Sequence, residues 1–555
     1  MKKKSLIALV MAFSLLFTGC GGSDNSDAKN VAESSAKAED TGGAESSNRW
    51  INVNASLPLN YDPASGSSSI DLSIVFNVYD TLVFTEIDGT VIPHVATDWE
   101  CSDDGLIYTF HIRDDIKFHD GSPLEASDVA FSMNRALAIG EGLSYLWDGY
   151  VDYAEATDAT TVVFHMKKTY AVFVSTLVRL AVLNEELVMA NVDSSDSSYG
   201  DKGDYGKGWL ATNDAGSGPY MTKEISITDY VTCEKYNDYW MGWGEKSPEG
   251  FTVRAINEAA TIRTMMSNGE LSITDEWETQ DTLEALRNMD GIDVANIYSG
   301  CIMCLEMNTK KAPTDDIHLR KCLAYLFDYD TAYNYIYAGT EKAKGPVSKS
   351  YQGAIGDELN TYSYNVEKAK EELALSNYAN NIGDYTIDLH YSTDVKDEED
   401  LALLLQSAAA ELGINITITA TPFATLIAEA ASQETTANIT IMAPSDSYSE
   451  AGSVLKLHYH SDTAGTFTQF EWLLDDTLDD MIDSALAEND YDKRMSLYAD
   501  AQRYIDDLCP TIWTIEWPEQ RAYLSSAFKW PEAEAEKNAP IMGRSLYFRT
   551  IEFYN

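Results

Sequence analysis

The stretch KFHDGSPLEASDVAFSM, residues 117–133, brings histidine, aspartate, serine and glutamate together within a few positions. These residue types build catalytic and metal sites. Here, however, His119 and Asp120 directly follow a predicted strand, and Asp-Gly followed by Ser-Pro is typical of a turn. A helix is predicted to begin near Ala126, with Asp128 in its first turn, where the helix dipole favours negative charge. We therefore interpret these residues as turn and helix-start residues rather than as a catalytic or metal site.

Other arrangements that could do chemistry are incomplete. A hydrolase needs a paired constellation such as G-x-S-x-G or H-E-x-x-H, and the sequence contains neither. In GSGPY, residues 216–220, the serine comes too early for a nucleophile elbow. The sequence does not exclude a glycosidase-type pair of carboxylates, because the chain contains so many acidic residues. His458 and His460 in LHYH could share one face of a strand and hold a metal, but we interpret them as surface or hydrogen-bonded histidines.

The cysteines lack the density of a disulfide scaffold. Cys301 and Cys304 form a C-x-x-C pair in GCIMCLEMN, which is predicted to be a strand. Positions i and i+3 of a strand face opposite sides, so we expect buried free thiols rather than a shared metal. The other cysteines are Cys20, Cys101, Cys233, Cys322 and Cys509.

Length and charge limit the class of protein. The 555 residues suggest about three or four domains. Aspartate and glutamate number 89 against 39 lysines and arginines, for a formal charge of −50. A nucleic-acid-binding protein is expected to carry a basic face, and no patch rich in lysine or arginine stands out. We therefore expect no nucleic-acid partner, and neither a cofactor nor a bound metal is predicted.

The first 49 residues resemble an export and anchoring segment. Three lysines precede an apolar run from Leu6 to Phe17, and Cys20 follows Thr18-Gly19. This layout predicts a lipoprotein signal peptide over residues 1–19, with Cys20 as the lipidation site. Diacylglycerol on Cys20 would supply the two acyl chains that stable anchoring requires. Residues 20–49 are rich in glycine, serine, alanine and acid, which predicts a flexible tether.

Strand and helix patterns alternate along the rest of the chain and predict an α/β protein. GLIYTFHIR predicts a strand with Tyr108, Phe110 and Ile112 on the buried face. YAVFVSTLVRLAVL, residues 170–183, is predicted to be a helix. HLRKCLAYLFDYDTAYNYIY, residues 318–337, is also predicted to be one helix, and TIWTIEW a late strand.

Several motifs occur in order over about 450 residues. They are the stretch 77–137, GSGPY at 216–220, YNDYW at 236–240, MNTKKAPTDDIHLRKCLAYLFD at 307–328, YSYNVEKAKEEL at 362–373 and ELGINITI at 411–418. Together they resemble the solute-binding lipoproteins of peptide-type ABC importers, extracellular solute-binding protein family 5. The chain departs from the family pattern at Glu125, where threonine is usual, and in IMAPSDSYSEAGSVL, which lacks the family's tryptophan and two prolines.

The resemblance implies a two-lobed fold like that of periplasmic binding proteins, with an extra subdomain and a two-strand hinge. Lobe I is expected to combine residues 50–72, 206–300 and 512–555. The subdomain, residues 73–205, would pack on lobe I, and residues 301–511 would form lobe II. The chain crossings near Tyr298–Glu306 and Pro510–Ile515 would be the hinge, where few residues need to change conformation for the lobes to close.

The resemblance also implies a function and candidate site residues. It predicts a monomeric, lipid-anchored receptor on the outer face of the cytoplasmic membrane, which captures short peptides between the lobes and delivers them to ABC permease subunits. Asp446 matches the family's aspartate for the peptide amino terminus, with Glu450 as the alternative. The other interpretations are a binding protein for a non-peptide solute, such as a metal chelate or an oligosaccharide, a peptide-signal sensor, and a surface hydrolase. The remaining candidate ligand-binding residues are Ser445, Tyr448 and Asn308.

Overall fold

The computed structural model describes residues 49–55, 57, 60–226, 228–360, 362–395, 397–444 and 447–554. The predicted signal peptide, lipidation site Cys20 and nearly all of the predicted tether lie outside these residues. Among the helices that are described, none combines the length and apolar character needed to cross a bilayer.

Strands and helices alternate along the described chain. The strands are β1 (Trp50–Asn54), β2 (Val83–Thr85), β3 (Val91–Pro93), β4 (Ala96–Cys101), β5 (Ile107–Ile112), β6 (Val151–Asp158), β7 (Thr161–Met166), β8 (Tyr220–Ser226), β9 (Tyr230–Lys235), β10 (Gly250–Arg254), β11 (Asp293–Met307), β12 (Glu341–Lys342), β13 (Thr386–Ser392), β14 (Asn415–Thr421), β15 (Ile439–Met442), β16 (Thr511–Tyr523), β17 (Phe528–Lys529) and β18 (Glu552–Phe553). The helices are α1 (Ser69–Val78), α2 (Ala126–Ile139), α3 (Phe173–Thr176), α4 (Glu185–Ala190), α5 (Lys207–Leu210), α6 (Ala259–Ser267), α7 (Gln280–Arg287), α8 (Ile317–Leu326), α9 (Tyr329–Thr331), α10 (Val366–Leu375), α11 (Glu398–Ala410), α12 (Phe423–Glu429), α13 (Ala451–Tyr459), α14 (Asp476–Ala487), α15 (Tyr491–Leu508) and α16 (Pro531–Glu534).

Three sheets carry most of the strands. One has the order β1-β10-β9-β8, a second β4-β5-β7-β6, and a third β12-β16-β11-β15-β13-β14. β13 pairs in parallel with both β14 and β15, whereas the β4-β5-β7-β6 sheet is antiparallel throughout. The mixture of parallel and antiparallel pairing agrees with the predicted α/β class.

The antiparallel sheet follows the alternation read from its sequence. Tyr108, Phe110 and Ile112 of β5 are buried, while His111 between them is exposed. α2 begins at Ala126, as predicted, and buries Val129 and Met133. Asp128 Oδ2 accepts a hydrogen bond from the backbone N–H of Glu125 at 2.9 Å, so the first turn of the helix is capped through Asp128.

β11 and β16 form a long antiparallel ribbon that contains both predicted crossing points. Its strands are 15 and 13 residues long, and the register shifts between Ile297 and Cys301. Cys301 and Cys304 face different hydrophobic clusters, as a strand requires, and both are buried. The predicted burial of these two cysteines is confirmed. The predicted boundaries of the lobes and subdomain stay a prediction.

The predicted helix over 170–183 is wrong in most of its length. α3 spans four residues and a 3₁₀ turn, Leu177–Arg179, follows it. The chain then becomes extended, because the backbone of residues 180–182 pairs with that of residues 80–82. Leu82 N–H donates to Leu180 O at 3.1 Å, and Val182 N–H donates to Asp80 O at 2.9 Å. Tertiary hydrogen bonding therefore overrides the apolar pattern.

The predicted helix over 318–337 is interrupted. α8 ends at Leu326, and Phe327 is extended. Asp328 then caps α9 by accepting a hydrogen bond from Thr331 N–H at 3.1 Å. A π-helical turn, Ala332–Ile336, leads on to the buried Tyr337.

Candidate functional site

The chain after β15 leads into the region where the solute was predicted to bind. β15 consists of four buried residues, and Glu450 precedes α13. We call Ser447–Glu450 the post-β15 segment. Ser445 and Asp446, immediately before it, lie outside the described residues, so their ligand-binding roles stay predictions.

Ser447 connects the post-β15 segment to residues of the predicted subdomain. Arg179 Nε donates to Ser447 O at 2.9 Å, and Tyr145 OH lies 2.9 Å from Ser447 Oγ. Arg179 Nη1 also donates to Met542 O at 2.7 Å. One guanidinium therefore ties together three segments that are far apart in the sequence.

Gly89 brings a second part of the same region against the post-β15 segment. Its φ is +90°, and a Cβ at this position would lie 2.7 Å from Ser449 Oγ. Any side chain at Gly89 would therefore clash with the segment and strain the backbone. The post-β15 segment is enclosed from the side of residues 73–205.

Tyr448 and Glu450 have partners within the protein. The two carboxylate oxygens of Glu450 accept hydrogen bonds from Arg494 Nε at 2.9 Å and Nη2 at 3.0 Å, and Tyr498 OH lies 3.3 Å from Glu450 Oε2. Tyr448 is buried, and burial, with the nearby Tyr170 hydroxyl, raises its pKa well above the ordinary value. The carboxylate of Glu450 thus holds α13 to α15, and its predicted ligand-binding role stays untested.

Asn308 fixes the turn that follows β11. Its backbone N–H donates to Asn438 O at 2.9 Å, and its Nδ2 donates to Gln433 O at 3.1 Å. Its Oδ1 accepts a hydrogen bond from Lys310 N–H at 3.0 Å. Asn308 is fully buried in these contacts, and its predicted ligand-binding role likewise stays a prediction.

A pair of buried carboxyl groups lies beside the end of β11 and was not found from the sequence. Glu306 Oε2 accepts a hydrogen bond from Phe470 N–H at 3.1 Å, and Glu471 Oε1 accepts one from Thr511 Oγ1 at 2.6 Å. Burial, and then the charge of Glu471, raises the pKa of Glu306 well above its ordinary range. Burial disfavours a second negative charge beside the first, so we infer that at least one of the two carboxyls is protonated. No local spacing could reveal a pair 165 residues apart.

His119, in the stretch that first suggested chemistry, is held between two acceptors. Its Nδ1 lies 2.8 Å from Asp214 Oδ1, and its Nε2 lies 3.0 Å from Gly218 O. A carboxylate and a carbonyl can only accept, so both ring nitrogens must donate and the imidazole is charged. Burial alone would lower the pKa of His119, but Asp214 outweighs it and raises the pKa above 6.5. We call His119, Asp214 and Gly218 the His119 clasp.

The GSGPY turn completes this arrangement. A Cβ on Gly216 would lie 2.0 Å from Val78 O, and one on Gly218 would lie 2.6 Å from the carbonyl carbon of Val78. Only glycine allows the turn to approach α1 this closely. Asp214 Oδ2 also accepts a hydrogen bond from Thr222 N–H at 2.7 Å. The prediction that this stretch is structural agrees with its geometry.

The described residues contain no group of three or more histidine, cysteine or acidic side chains placed to hold a metal. The alternative of a shared strand face at LHYH does not hold, because His458 lies in the last turn of α13 and His460 directly follows it. His458 Nδ1 lies 2.9 Å from Thr468 O, in agreement with the interpretation of hydrogen-bonded histidines. Positions i and i+2 of a helix point to different sides, so the shared strand face does not exist. His460 instead lies 3.5 Å from Asp483.

Comparison with known proteins identifies the family. The family model described as bacterial extracellular solute-binding proteins, family 5, middle, matches residues 90–466. The probable D,D-dipeptide-binding periplasmic protein DdpA of Escherichia coli is 26% identical over 461 residues, covering 82% of this chain and 85% of its own. Heme-binding protein A of Haemophilus influenzae is 25% identical over 449 residues, covering 75% and 76%.

Solved structures show the same fold. The substrate-binding protein CtaP of Listeria monocytogenes superposes with a TM-score of 0.77 at 21% identity, covering 91% of this chain and 99% of its own. DppA of Helicobacter pylori, in complex with the peptide STSA, gives a TM-score of 0.75 at 21% identity, covering 91% and 98%. The predicted periplasmic-binding-protein fold is confirmed.

The match to the family model covers more than half of the chain, and the fold agrees over nearly all of the described residues. The family consists of binding proteins rather than enzymes, in line with the absence of a hydrolase motif from the sequence. This chain belongs to the bacterial extracellular solute-binding proteins of family 5, the solute-binding proteins of peptide- and nickel-type ABC importers.

Proposed function

We propose that the protein captures short peptides between residues 301–511 and the parts of the chain that face them, and delivers them to an ABC permease. The observation that carries this proposal is the contact between the post-β15 segment and the side chains of Tyr145 and Arg179. A solute reaching the segment must first separate these groups. The β11–β16 ribbon, which joins the two parts, supplies a hinge for that opening.

The similar proteins support a peptide as the solute, but their names also include other kinds of solute. The names of similar proteins include a D,D-dipeptide-binding, a dipeptide-binding and a glutathione-binding protein. Others are a heme-binding protein and a structure in complex with Ni(L-His). We favour a peptide because the family's aspartate for the peptide amino terminus has a counterpart here in Asp446. A metal chelate is the alternative solute.

Asp446 is the proposed partner of the peptide's free ammonium. An ammonium–carboxylate pair is charge-assisted and about twice as strong as a neutral hydrogen bond. Asp446→Asn would leave that ammonium buried and unpaired, at a cost of about 3–5 kcal/mol. That corresponds to a roughly hundredfold to several-thousandfold loss of affinity. The neighbouring Ser447, held by Arg179 at 2.9 Å, would keep its place.

The test is calorimetry of trialanine and N-acetyl-trialanine against the wild type and Asp446→Asn. We expect the wild type to prefer the free peptide and the variant to lose that preference. Equal affinity of the wild type for both peptides would remove the role of Asp446. If neither peptide binds, native mass spectrometry of the purified protein for a co-purified solute decides between a peptide and a chelate.

We further propose that the protein is lipid-anchored outside the cytoplasmic membrane through Cys20, and acts there as a monomer. The apolar run before Thr18-Gly19-Cys20 supports the anchor. Labelled palmitate should incorporate into the wild type and not into Cys20→Ala. An unlabelled wild type would contradict the anchor while leaving solute capture intact.

A further inference from the structure

Three aromatic rings form a column that leads from the interior to the surface. Tyr337 meets Trp517 edge-on, with ring centroids 4.8 Å apart at 87°, and Trp277 lies nearly parallel to Trp517 at 6.1 Å and 18°. Tyr337 is 0% exposed, Trp517 6% and Trp277 39%. We call these three residues the aromatic column. Its outer member presents an indole to solvent.

The inner members carry polar atoms that the rest of the protein leaves unsatisfied. Tyr337 OH and Trp517 Nε1 are buried, and neither has a hydrogen-bond partner among the described residues. Buried tyrosine hydroxyls and tryptophan N–H groups normally have one, because leaving such a group unpaired costs free energy. Trp517 Nε1 can only donate, so its missing partner is an acceptor such as a carbonyl or carboxylate oxygen.

Acidic groups surround the column on two sides. Next to Trp277 in the chain, Glu276 shares Arg521 with Glu519, each carboxylate lying 3.5 Å from the guanidinium. Burial raises the pKa of Glu276 to about 8 despite the attraction of Arg521. Glu276 therefore holds its proton at neutral pH, and the charges of Glu519 and Asp275, which are among the causes of its raised pKa, are the negative charges on this side.

The second acidic side is the start of α11, which lies near Tyr337. Its first turn contains Glu398, Glu399 and Asp400. After burial, the acidic groups Glu398, Asp397 and Asp400 raise the pKa of Tyr337 well above its ordinary value. Burial also raises the pKa of Glu398 to about 8, so the negative charge here at neutral pH is that of Asp397 and Asp400. The electric field at the column therefore favours a positive charge.

The position of the column connects it with the proposed hinge. Trp517 pairs with Cys301 at the point where the register of the β11–β16 ribbon shifts. Cys301 Sγ in turn donates to Ala443 O at 3.1 Å, one residue beyond β15 and close to the post-β15 segment. A solute that contacts the column would thus lie at the same ribbon that joins the two parts of the chain.

We propose that the aromatic column is a recognition site for a positively charged group of the solute. The charged group lies on the exposed indole face of Trp277, and an oxygen of the same solute accepts a hydrogen bond from Trp517 Nε1. This proposal rests on the proposed solute capture and names the charge that the solute carries. A cation over a tryptophan face is attracted by the ring quadrupole. Trp277 and Trp517 therefore have separable roles, one for the charge and one for the oxygen.

N-acetyl-argininamide and N-acetyl-citrullinamide test the charge, since they have nearly the same shape and differ by one positive charge. Titrations followed by calorimetry should show the arginine probe binding the wild type about 3- to 30-fold more tightly. In Trp277→Leu the ratio of the two affinities should fall to within about twofold. In Trp517→Phe both affinities should fall by a similar factor, so that the ratio survives.

Tyr153→Leu is the matched control. Tyr153 is 42% exposed and stacks on His165 at 4.3 Å and 14°, but it lies on β6 of another sheet. This variant should change neither affinity. A wild-type ratio near one, no measurable binding of either probe, or a ratio that survives in Trp277→Leu would each overturn the charge assignment. Unchanged affinities in Trp517→Phe would overturn the oxygen contact.

The probes carry no free α-amino group, so their outcome does not depend on Asp446. Failure of the peptide titrations with success of the probes would mean that the column recognises a cation in a solute that is not a peptide. Success of the peptide titrations with failure of the probes would leave peptide capture standing and remove the column from it.

Discussion

The His119 clasp and the aromatic column differ in what their residue types suggest and in what their contacts show. The clasp has the residue types of a catalytic or metal site, yet every polar atom of its histidine is bonded within the protein. The column looks in sequence like ordinary aromatic core, yet Tyr337 OH and Trp517 Nε1 have no partner among the described residues. A satisfied polar group stabilises the fold, whereas these two buried, unsatisfied atoms need a partner that the described residues do not supply. We expect substitutions in satisfied pairs to change stability and those in the column to change binding.

The largest loss of stability is expected at the Glu450–Arg494 pair. Glu450→Gln leaves the guanidinium of Arg494 buried without a carboxylate, and arginine does not escape by losing its proton. Breaking a buried pair in this way costs about 3–5 kcal/mol in free energy of unfolding. Urea denaturation measures the loss.

Glu358→Gln is the control for that experiment. It breaks the exposed pair between Glu358 and Arg503, whose side chains are about half exposed. Exposed pairs contribute about 0–1 kcal/mol, so the two variants should differ by several-fold. Equal losses of stability in both variants would show that burial does not determine how much each ion pair contributes to the free energy of unfolding.

Asp214→Asn should lower the free energy of unfolding by about 1–3 kcal/mol, which is less than the loss expected for Glu450→Gln. The reason is that His119, unlike Arg494, can release its proton and become neutral when its carboxylate is lost. NMR titration of the His119 ring should show its pKa falling in the variant. A histidine pKa that stays raised without the carboxylate would mean that Asp214 is not the cause of the shift.

The clasp should also make stability depend on pH. Because the folded-state pKa of His119 is raised above 6.5, its contribution is fully present below about pH 6.5 and is lost as the pH rises through the raised value. The pKa of Asp214 is lowered, since the hydrogen bond from His119 outweighs burial, so this carboxylate stays ionised over the same range.

The measurement is the free energy of unfolding in urea at pH 6 and pH 9 for the wild type and His119→Gln. The wild type should lose more stability between the two pH values than the variant does. The other titratable groups are the same in both proteins, so the difference between the two pH dependences gives the contribution of His119. Identical pH dependence of the two proteins would rule out a charged His119.

The smallest effect on stability is expected for Trp277→Leu. Its indole is 39% exposed, and substitutions at exposed positions usually change the free energy of unfolding by less than about 0.5 kcal/mol. Thermal unfolding should place the variant next to the wild type, while its binding preference changes. A large loss of stability would instead make Trp277 a structural residue and weaken the contrast with the clasp.

Local patterns were enough to predict the α/β class, the buried face of β5 and the start of α2 at Ala126. They also predicted that Cys301 and Cys304 would lie on opposite faces of a strand. Each of these depends on neighbours a few positions apart, for which the helical and strand periods determine which side a residue faces. The ordered motifs added the fold and the family, because they occur in the same order over about 450 residues.

Tertiary structure decided which polar groups are satisfied. His119 meets Asp214 across 95 residues, Glu306 meets Glu471 across 165, and Trp277 meets Trp517 across 240. It also ended the predicted helices early, where residues 180–182 pair with residues 80–82 and where Asp328 caps a new turn. Hydrogen bonding and burial depend on what lies nearby in space, and sequence spacing carries no signal for partners so far apart. The sequence by itself therefore determined the α/β class, the elements with a clear local period and the family, while only the folded chain decided which polar groups have partners.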